Sequence, residues 1–309
     1  MKLRWFRKES FIQKKIAWTV SMSLIYYLIF QVSASGCSLF LKKVLGWPLR
    51  RLNQSGLPYL FAILLGFIFI IFITDQRDWK NFWEKGPKKM TSKTFGSLVC
   101  ILLSGQVLTS IFASVLENGL HLFGLSALEQ LKDATQQSQS ISMLLYAAFF
   151  GPLIEEIVFR GLVLRRFNRI NSTLAIIGSA YLFGLYHVNF IQSPFAFLIG
   201  LILGYTALTY GIGWSLVLHI FNNFILGDFL NRILNFLPSQ AADEISSSIV
   251  LFGGMIGIFV LFSHRKLLNQ WDEKVKLSAK IIQTFFNNKL VITMTVIVVI
   301  LASLELSWV

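Results

Sequence analysis

Residues 151–161 read GPLIEEIVFRG, and place two adjacent carboxylates, Glu155 and Glu156, and a cation, Arg160, inside an apolar run that extends over 141–164. On a helix at about 100° per residue, Glu156 and Arg160 lie about 40° apart and can pair. Glu155 is then displaced by about 100° from Glu156 and about 140° from Arg160. One carboxylate is expected to be neutralised on its own helix, and the other is left on a different face. An uncommitted carboxylate in an apolar setting suits general acid–base work. The bland alternative is a buried ion pair plus a protonated Glu that only holds helices together. Pro152, three residues before Glu155, removes a helix hydrogen bond and loosens the preceding turn, which admits water.

Two more polar pairs fall in apolar runs. Phe183 and His187 are four residues apart and share a helix face, as do His219 and Asn223. Each has a bland reading too: a hydrogen-bonded core histidine for the first, an interhelical clamp for the second. Of the four histidines, His121 and His264 lie in polar loops and receive no role. The glycines and small residues nearby (Gly178, Ser179, Ala180, Gly200, Gly204) read as close helix packing, and Gly211–Ile212–Gly213 as a tight turn.

The elements that must position these groups are membrane helices. The chain of 309 residues is 55% hydrophobic and 14% charged, with 29 Phe, where a soluble domain would carry about 25% charged residues. Several continuous apolar runs approach the roughly 20 residues that span the hydrocarbon core as a helix. The expected fold is an all-α polytopic bundle of eight to nine spans, near 16–41, 57–74, 95–116, 141–164, 172–190, 194–210, 213–230, 248–263 and 289–307. The expected organisation is N-terminal spans with a basic interfacial loop over 1–140, a core carrying the polar motifs over 141–230, and C-terminal spans over 231–309. The N-terminus is basic and precedes an apolar run, like a signal peptide. The run continues past Cys37, so an uncleaved first span is expected. Cys37 and Cys100, the two cysteines, give neither a disulfide framework nor a thiolate metal site.

The net charge of +13 sits between the apolar runs, as membrane topology demands, and does not call for a nucleic-acid partner. Basic residues crowd 1–15, 75–94, 165–169 and 264–289, all on one side by span count. That side is read as cytoplasmic, with the N-terminus. Loop 42–56, with Lys42, Lys43, Arg50 and Arg51, disagrees and is expected to be re-entrant or interfacial. Loop 75–94 interleaves Trp79, Phe82 and Trp83 with lysines. It reads as an interfacial segment on an anionic leaflet, or alternatively as a docking site for a substrate or partner.

Glu155–Glu156–x–x–x–Arg160, then Phe183–x–x–x–His187, then His219–x–x–x–Asn223, in order and in successive spans, resembles the CAAX protease and bacteriocin-processing (CPBP, or Abi) family of intramembrane endopeptidases. The resemblance covers roughly 141–230. It implies Glu155 as the base that activates water with help from His187, Glu156 and Arg160 as the structural pair, and His219 and Asn223 as oxyanion donors. Phe183 joins the supporting set. The family admits a metal-free glutamate mechanism, which is favoured here, and a zinc alternative with Glu155, His187 and His219 as ligands, which are acceptable in type and number. There is no His–Glu–x–x–His helix.

The expected function is an endopeptidase acting on a peptide or membrane-associated protein in the lipid bilayer. A bacterial cell membrane, with peptide processing or bacteriocin self-immunity as the setting, suits a composition rich in Lys, Ile and Phe. Two other classes stand beside it: a non-catalytic scaffold that binds a membrane-protein partner, and a proton-coupled transporter. One geometric tension remains. At 1.5 Å per residue, Glu155, His187 and His219 come out roughly 15, 24 and 9 Å from the basic side. A single site then requires tilted or broken helices.

Overall fold

The computed structural model describes residues 2–76, 79, 82–127 and 140–308, with side chains from Ser10 onward except at 267 and 268. Arg77, Lys80 and residues 128–139, half of loop 117–140, therefore lie outside the described residues, as do the side chains of Lys2, Arg4, Arg7 and Lys8. The described chain is almost entirely helical: α1 (Lys2–Lys43), α2 (Leu49–Asn53), α3 (Leu57–Ile73), α4 (Ser92–His121), α5 (Ile141–Asn168), α6 (Ser172–Tyr186), α7 (Gln192–Tyr210), α8 (212–234), α9 (Ser239–Ser263), α10 (Arg265–Phe286) and α11 (Lys289–Leu304). A two-residue antiparallel pair, β1 (Leu125–Ser126) with β2 (Ser307–Trp308), ties the end of α4 to the end of α11.

The helices are apolar on both faces, so burial rather than hydropathy marks the packed side. On α1, Ile12, Ile16, Val20, Ser23, Tyr26, Phe30 and Ala34 are buried at three- and four-residue spacing, while Trp18, Leu28 and Val32 are exposed. On α3 the buried positions are Pro58, Ala62, Gly66 and Ile70, each four residues apart. Small residues let backbones approach where lipid offers no hydrophobic drive for association. Gly253, Gly254 and Gly257 of α9 accordingly face α4 closely, and the Ser104 hydroxyl of α4 donates to the Gly254 carbonyl at 2.8 Å. Gly200 of α7 sits against Ala180 of α6, where a Cβ would stand 2.9 Å from the Ala180 Cα. The turn between α7 and α8 is Gly211, with φ +100°, a conformation that a side chain disfavours.

Five described helices (α1 from Ser10, α4, α5, α7 and α9) are long and apolar enough to cross a membrane, and a sixth span results if the lower part of α10 and α11, bent by 69°, count as one. This is an integral membrane protein, but the expected eight to nine spans are not all of spanning length. α3 has 17 residues and α6 has 15. α6 then measures about 22 Å, short of a hydrocarbon core of about 30 Å. α8 is broken midway by a change of helix type.

The basic segments meet at one end of the bundle. Gln13 donates to the Thr284 carbonyl (3.0 Å), Arg166 to Ile73 (3.2 Å), Arg165 to Phe82 (2.8 Å), and Asn171 to the Ser278 hydroxyl (3.0 Å). At the other end the Ser140 hydroxyl donates to the Gln54 carbonyl (2.6 Å). Loop 42–56 packs there through α2 and the start of α5, with the Arg51 guanidinium 3.8 Å from the Trp47 ring. The basic stretch 264–289 is occupied by the amphipathic helix α10. Loop 75–94 does not lie free on the surface. Phe82 is buried in the space left by the missing side chain of Gly161, and Lys88 N–H donates to the Thr209 carbonyl (3.0 Å). Trp83 stays exposed.

Candidate active site

Helix α5 is not a regular α-helix. It alternates α turns with π-helical stretches at Tyr146–Phe150 and Glu156–Leu164, and α8 carries a third at Phe221–Phe229. Single π turns are rare and gather at functional sites, because the wider turn re-aims side chains. The second and third stretches hold Glu156, Arg160, Asn222 and Asn223, and Asn223 Nδ2 reaches across to the Ala147 carbonyl of the first at 3.1 Å.

The two adjacent carboxylates have different surroundings. Glu156 is 2% exposed and fully engaged. Its Oε1 lies 3.0 Å from Arg160 Nη1 and accepts from His219 Nδ1 at 2.9 Å, and its Oε2 accepts from the Ser215 hydroxyl at 2.6 Å. Ser215 Oγ is also 3.0 Å from the Leu203 carbonyl, which anchors α8 to α7. Glu155 has a side chain 15% exposed and lies 3.5 Å from His219 Nε2. His219 thus stands between the two carboxylates, one nitrogen toward each. Arg160 is the fixed positive charge of the group, beside Glu156. A buried cluster of this kind is tolerable only when its charges are matched and bonded.

Phe183 of α6 is the hub that aligns the motifs. Its ring carries the Arg160 guanidinium at 4.4 Å and meets the rings of Phe159 (5.1 Å), His187 (5.0 Å) and His219 (5.7 Å) edge to face. The buried guanidinium needs this contact. Its Nη1 approaches Glu156 off the line of a hydrogen bond, and Nε and Nη2 have no hydrogen-bond partner among the described residues. An aromatic face offsets part of the cost of a desolvated cation.

His187 lies just past the end of α6 and is followed by Val188 at φ +49°. Its Nδ1–H donates to the Phe183 carbonyl at 2.9 Å, which fixes the tautomer and leaves Nε2 as the basic nitrogen. His187 lies within electrostatic reach of Glu155, His219 and Arg160. The structure therefore brings Glu155, Glu156, Arg160, Phe183, His187 and His219 into one cluster. The tension in depth is met by the shortness of α6 and the broken courses of α5 and α8. Asn223 adjoins the cluster through α8, with Asn222 Nδ2 donating to its Oδ1 at 3.0 Å.

Ser215 was not singled out from the sequence, although it precedes His219 by four residues and so shares its face. Of the remaining histidines, His121 pairs with Glu117 at 2.8 Å and His264 Nδ1–H donates to the Val260 carbonyl. Among the described residues, no three His, Cys, Asp or Glu side chains group in a way that holds a metal ion. Each histidine engages its Nδ1 with a protein acceptor, His187 with the Phe183 carbonyl and His219 with Glu156.

Residues 137–225 match the family model described as type II CAAX prenyl endopeptidase, Rce1-like. The resemblance to the CAAX protease family holds over this segment. It contains every motif residue from Glu155 to Asn223, together with the three stretches of altered helix except the last turn of the third. The match supports an intramembrane protease of the CAAX type in general, hence a peptide or protein substrate and a lipid setting. No curated protein and no solved structure matches the chain.

Proposed function

We propose that the protein is an intramembrane endopeptidase in which Glu155 activates the attacking water. The observation that carries this reading is the contrast between the two carboxylates. Glu156 is sealed by Arg160, His219 and Ser215, while Glu155 keeps 15% of its side chain exposed beside it. Glu155 takes a proton from water as the oxygen adds to the scissile carbonyl, and returns it to the amine as the tetrahedral intermediate collapses. The products are an acid and an amine, and the carboxylate is regenerated. His187, with Nε2 as its basic nitrogen, orients the water. His219 and Asn223 hold the oxygen side of the site. The reading is the metal-free one, with Glu155 and His187 acting on the water directly. Retained turnover after exhaustive chelation checks this.

The setting proposed is a bacterial cell membrane with the basic end, and so the N-terminus, in the cytoplasm, and a role in peptide processing or bacteriocin self-immunity. The test compares peptides in the membranes and medium of cells expressing wild type or Glu155→Gln at equal levels. A fragment made only by wild type identifies substrate and scissile bond. Identical peptides with the biological phenotype intact would favour a scaffold that binds a membrane partner.

A further inference from the structure

Where α5 and α8 meet beside the cluster, a proline decides which hydrogen bonds are made. In the first π stretch of α5 the Gly151 N–H donates to the Tyr146 carbonyl, five residues back, as a π turn requires. The next donor in that register, to the Ala147 carbonyl, would come from Pro152, which has no N–H. The Ala147 carbonyl is thus left without a donor from its own helix. An orphaned helix carbonyl in an apolar setting needs a partner. Asn223 of α8 supplies it, with Nδ2 donating to the Ala147 carbonyl at 3.1 Å.

That bond fixes the sense of the Asn223 carboxamide. Nδ2 faces a carbonyl, so Oδ1 is the atom turned toward Asn222, and Asn222 Nδ2 donates to it at 3.0 Å. Asn222, Asn223 and the Ala147 carbonyl therefore form a directed chain of hydrogen bonds. It leaves Asn223 one further Nδ2–H, unpartnered among the described residues. Asn223 is only partly buried, and it stands four residues beyond His219, about 6 Å along α8 on the same face. Asn222 itself is 8% exposed, and its Oδ1 has no hydrogen-bond partner among the described residues. An unsatisfied buried oxygen opposes folding, so packing alone does not account for an amide at this position. The one side-chain hydrogen bond that Asn222 makes is the one that holds Asn223.

We infer that Asn222 is a positioning residue: it holds the Asn223 carboxamide so that the second Nδ2–H of Asn223 is presented to the scissile carbonyl oxygen as it becomes an oxyanion. Asn222 does not touch the substrate. Pinned at Oδ1 by Asn222 and at Nδ2 by Ala147, the Asn223 amide cannot turn its oxygen toward the developing charge, and a donor fixed in advance is what oxyanion stabilisation requires. The bond accepted at Oδ1 also polarises the amide and strengthens its remaining N–H as a donor. This inference rests on the endopeptidase reading above, with Asn223 as an oxyanion donor.

The test uses the full chain in membranes. Wild type, Asn222→Leu, Asn222→Ala, Asn223→Ala, the double variant Asn222→Leu/Asn223→Ala, and Glu155→Gln are expressed at equal levels. Fragments made only by wild type give the scissile bond, and a synthetic peptide spanning it separates kcat from KM. Asn222→Leu keeps the branched shape and removes both the donor and the unpaired oxygen. The expected result is a fall in kcat of about 10-fold, the upper end for one neutral hydrogen bond, with KM and the unfolding temperature unchanged. Asn223→Ala is expected to lower kcat by about 100-fold. Adding Asn222→Leu to it costs nothing further, because Asn222 acts through Asn223. Full turnover by Asn222→Leu, or a loss of equal size in both backgrounds, overturns the positioning role. So does a loss that tracks a lowered unfolding temperature in both Asn222 variants. Full turnover by Asn223→Ala while Glu155→Gln is silent removes the donor and this inference, and leaves the endopeptidase reading standing. Wild type and Glu155→Gln giving the same peptides removes that reading, and this inference with it.

Discussion

Glu155 and Glu156 are neighbours in sequence on one helix, and their surroundings differ in nearly every respect. Glu156 faces inward, where Arg160, His219 and Ser215 satisfy both its oxygens. Glu155 is partly exposed, with His219 Nε2 at 3.5 Å. The difference shows how a membrane protein can hold a reactive carboxylate in an apolar setting. The neighbouring carboxylate, fixed and neutralised, orients the histidine that serves both. On the proposed reading, one carboxylate supplies the architecture and the other the chemistry.

Substitutions can break this comparison or sharpen it. The largest effect is expected at Glu155→Gln, with a loss of turnover on the order of a thousandfold and little change in unfolding temperature. Fragment release and a thermal melt in detergent, taken together, check both halves. Glu156→Gln is expected to act in the opposite way. It leaves Arg160 and His219 buried beside a neutral amide, at a cost of about 3–5 kcal/mol, so the melt shifts strongly and activity falls with folded protein. If both variants behaved alike, the division of roles would be wrong.

Smaller changes probe the supports. Ser215→Ala removes a donor to a buried carboxylate and is expected to cost about 1.5–3 kcal/mol, read as a lowered melting temperature. Double mutation with Glu156→Gln should add less than the sum, since both act on the same oxygens. Phe183→Leu keeps an apolar side chain but removes the face under Arg160. It is expected to cost about 0.5–2 kcal/mol from the cation contact, with a further fall in turnover if the ring aligns His187 and His219 as its contacts indicate.

Much of the site was legible before any coordinates. The four-residue spacing of Glu156 and Arg160 pointed to their pairing, and the same spacing put Phe183 with His187 and His219 with Asn223, because one helical face repeats at that interval whatever surrounds it. How loop 75–94 is anchored was not legible, for the opposite reason. Its lysines and aromatics suit a membrane interface, but the burial of Phe82 depends on the absence of a side chain at Gly161, some eighty residues away. Which apolar runs form helices of full spanning length was not legible, because hydropathy records apolar length and not whether a helix is short or broken, as α6 and α8 are.

The sequence by itself determined that this chain lives in a bilayer, that its basic segments gather on one side, and that one of two adjacent glutamates can be neutralised within its own helix. These follow from local composition and from the fixed period of the α-helix. Only the tertiary structure decided that His219 stands between the carboxylates and that Ser215 closes the second oxygen of Glu156. Those facts depend on where distant helices cross, and crossings are set by small residues such as Gly66 and Gly200 and by π turns in α5 and α8, whose consequences appear only when the surfaces meet.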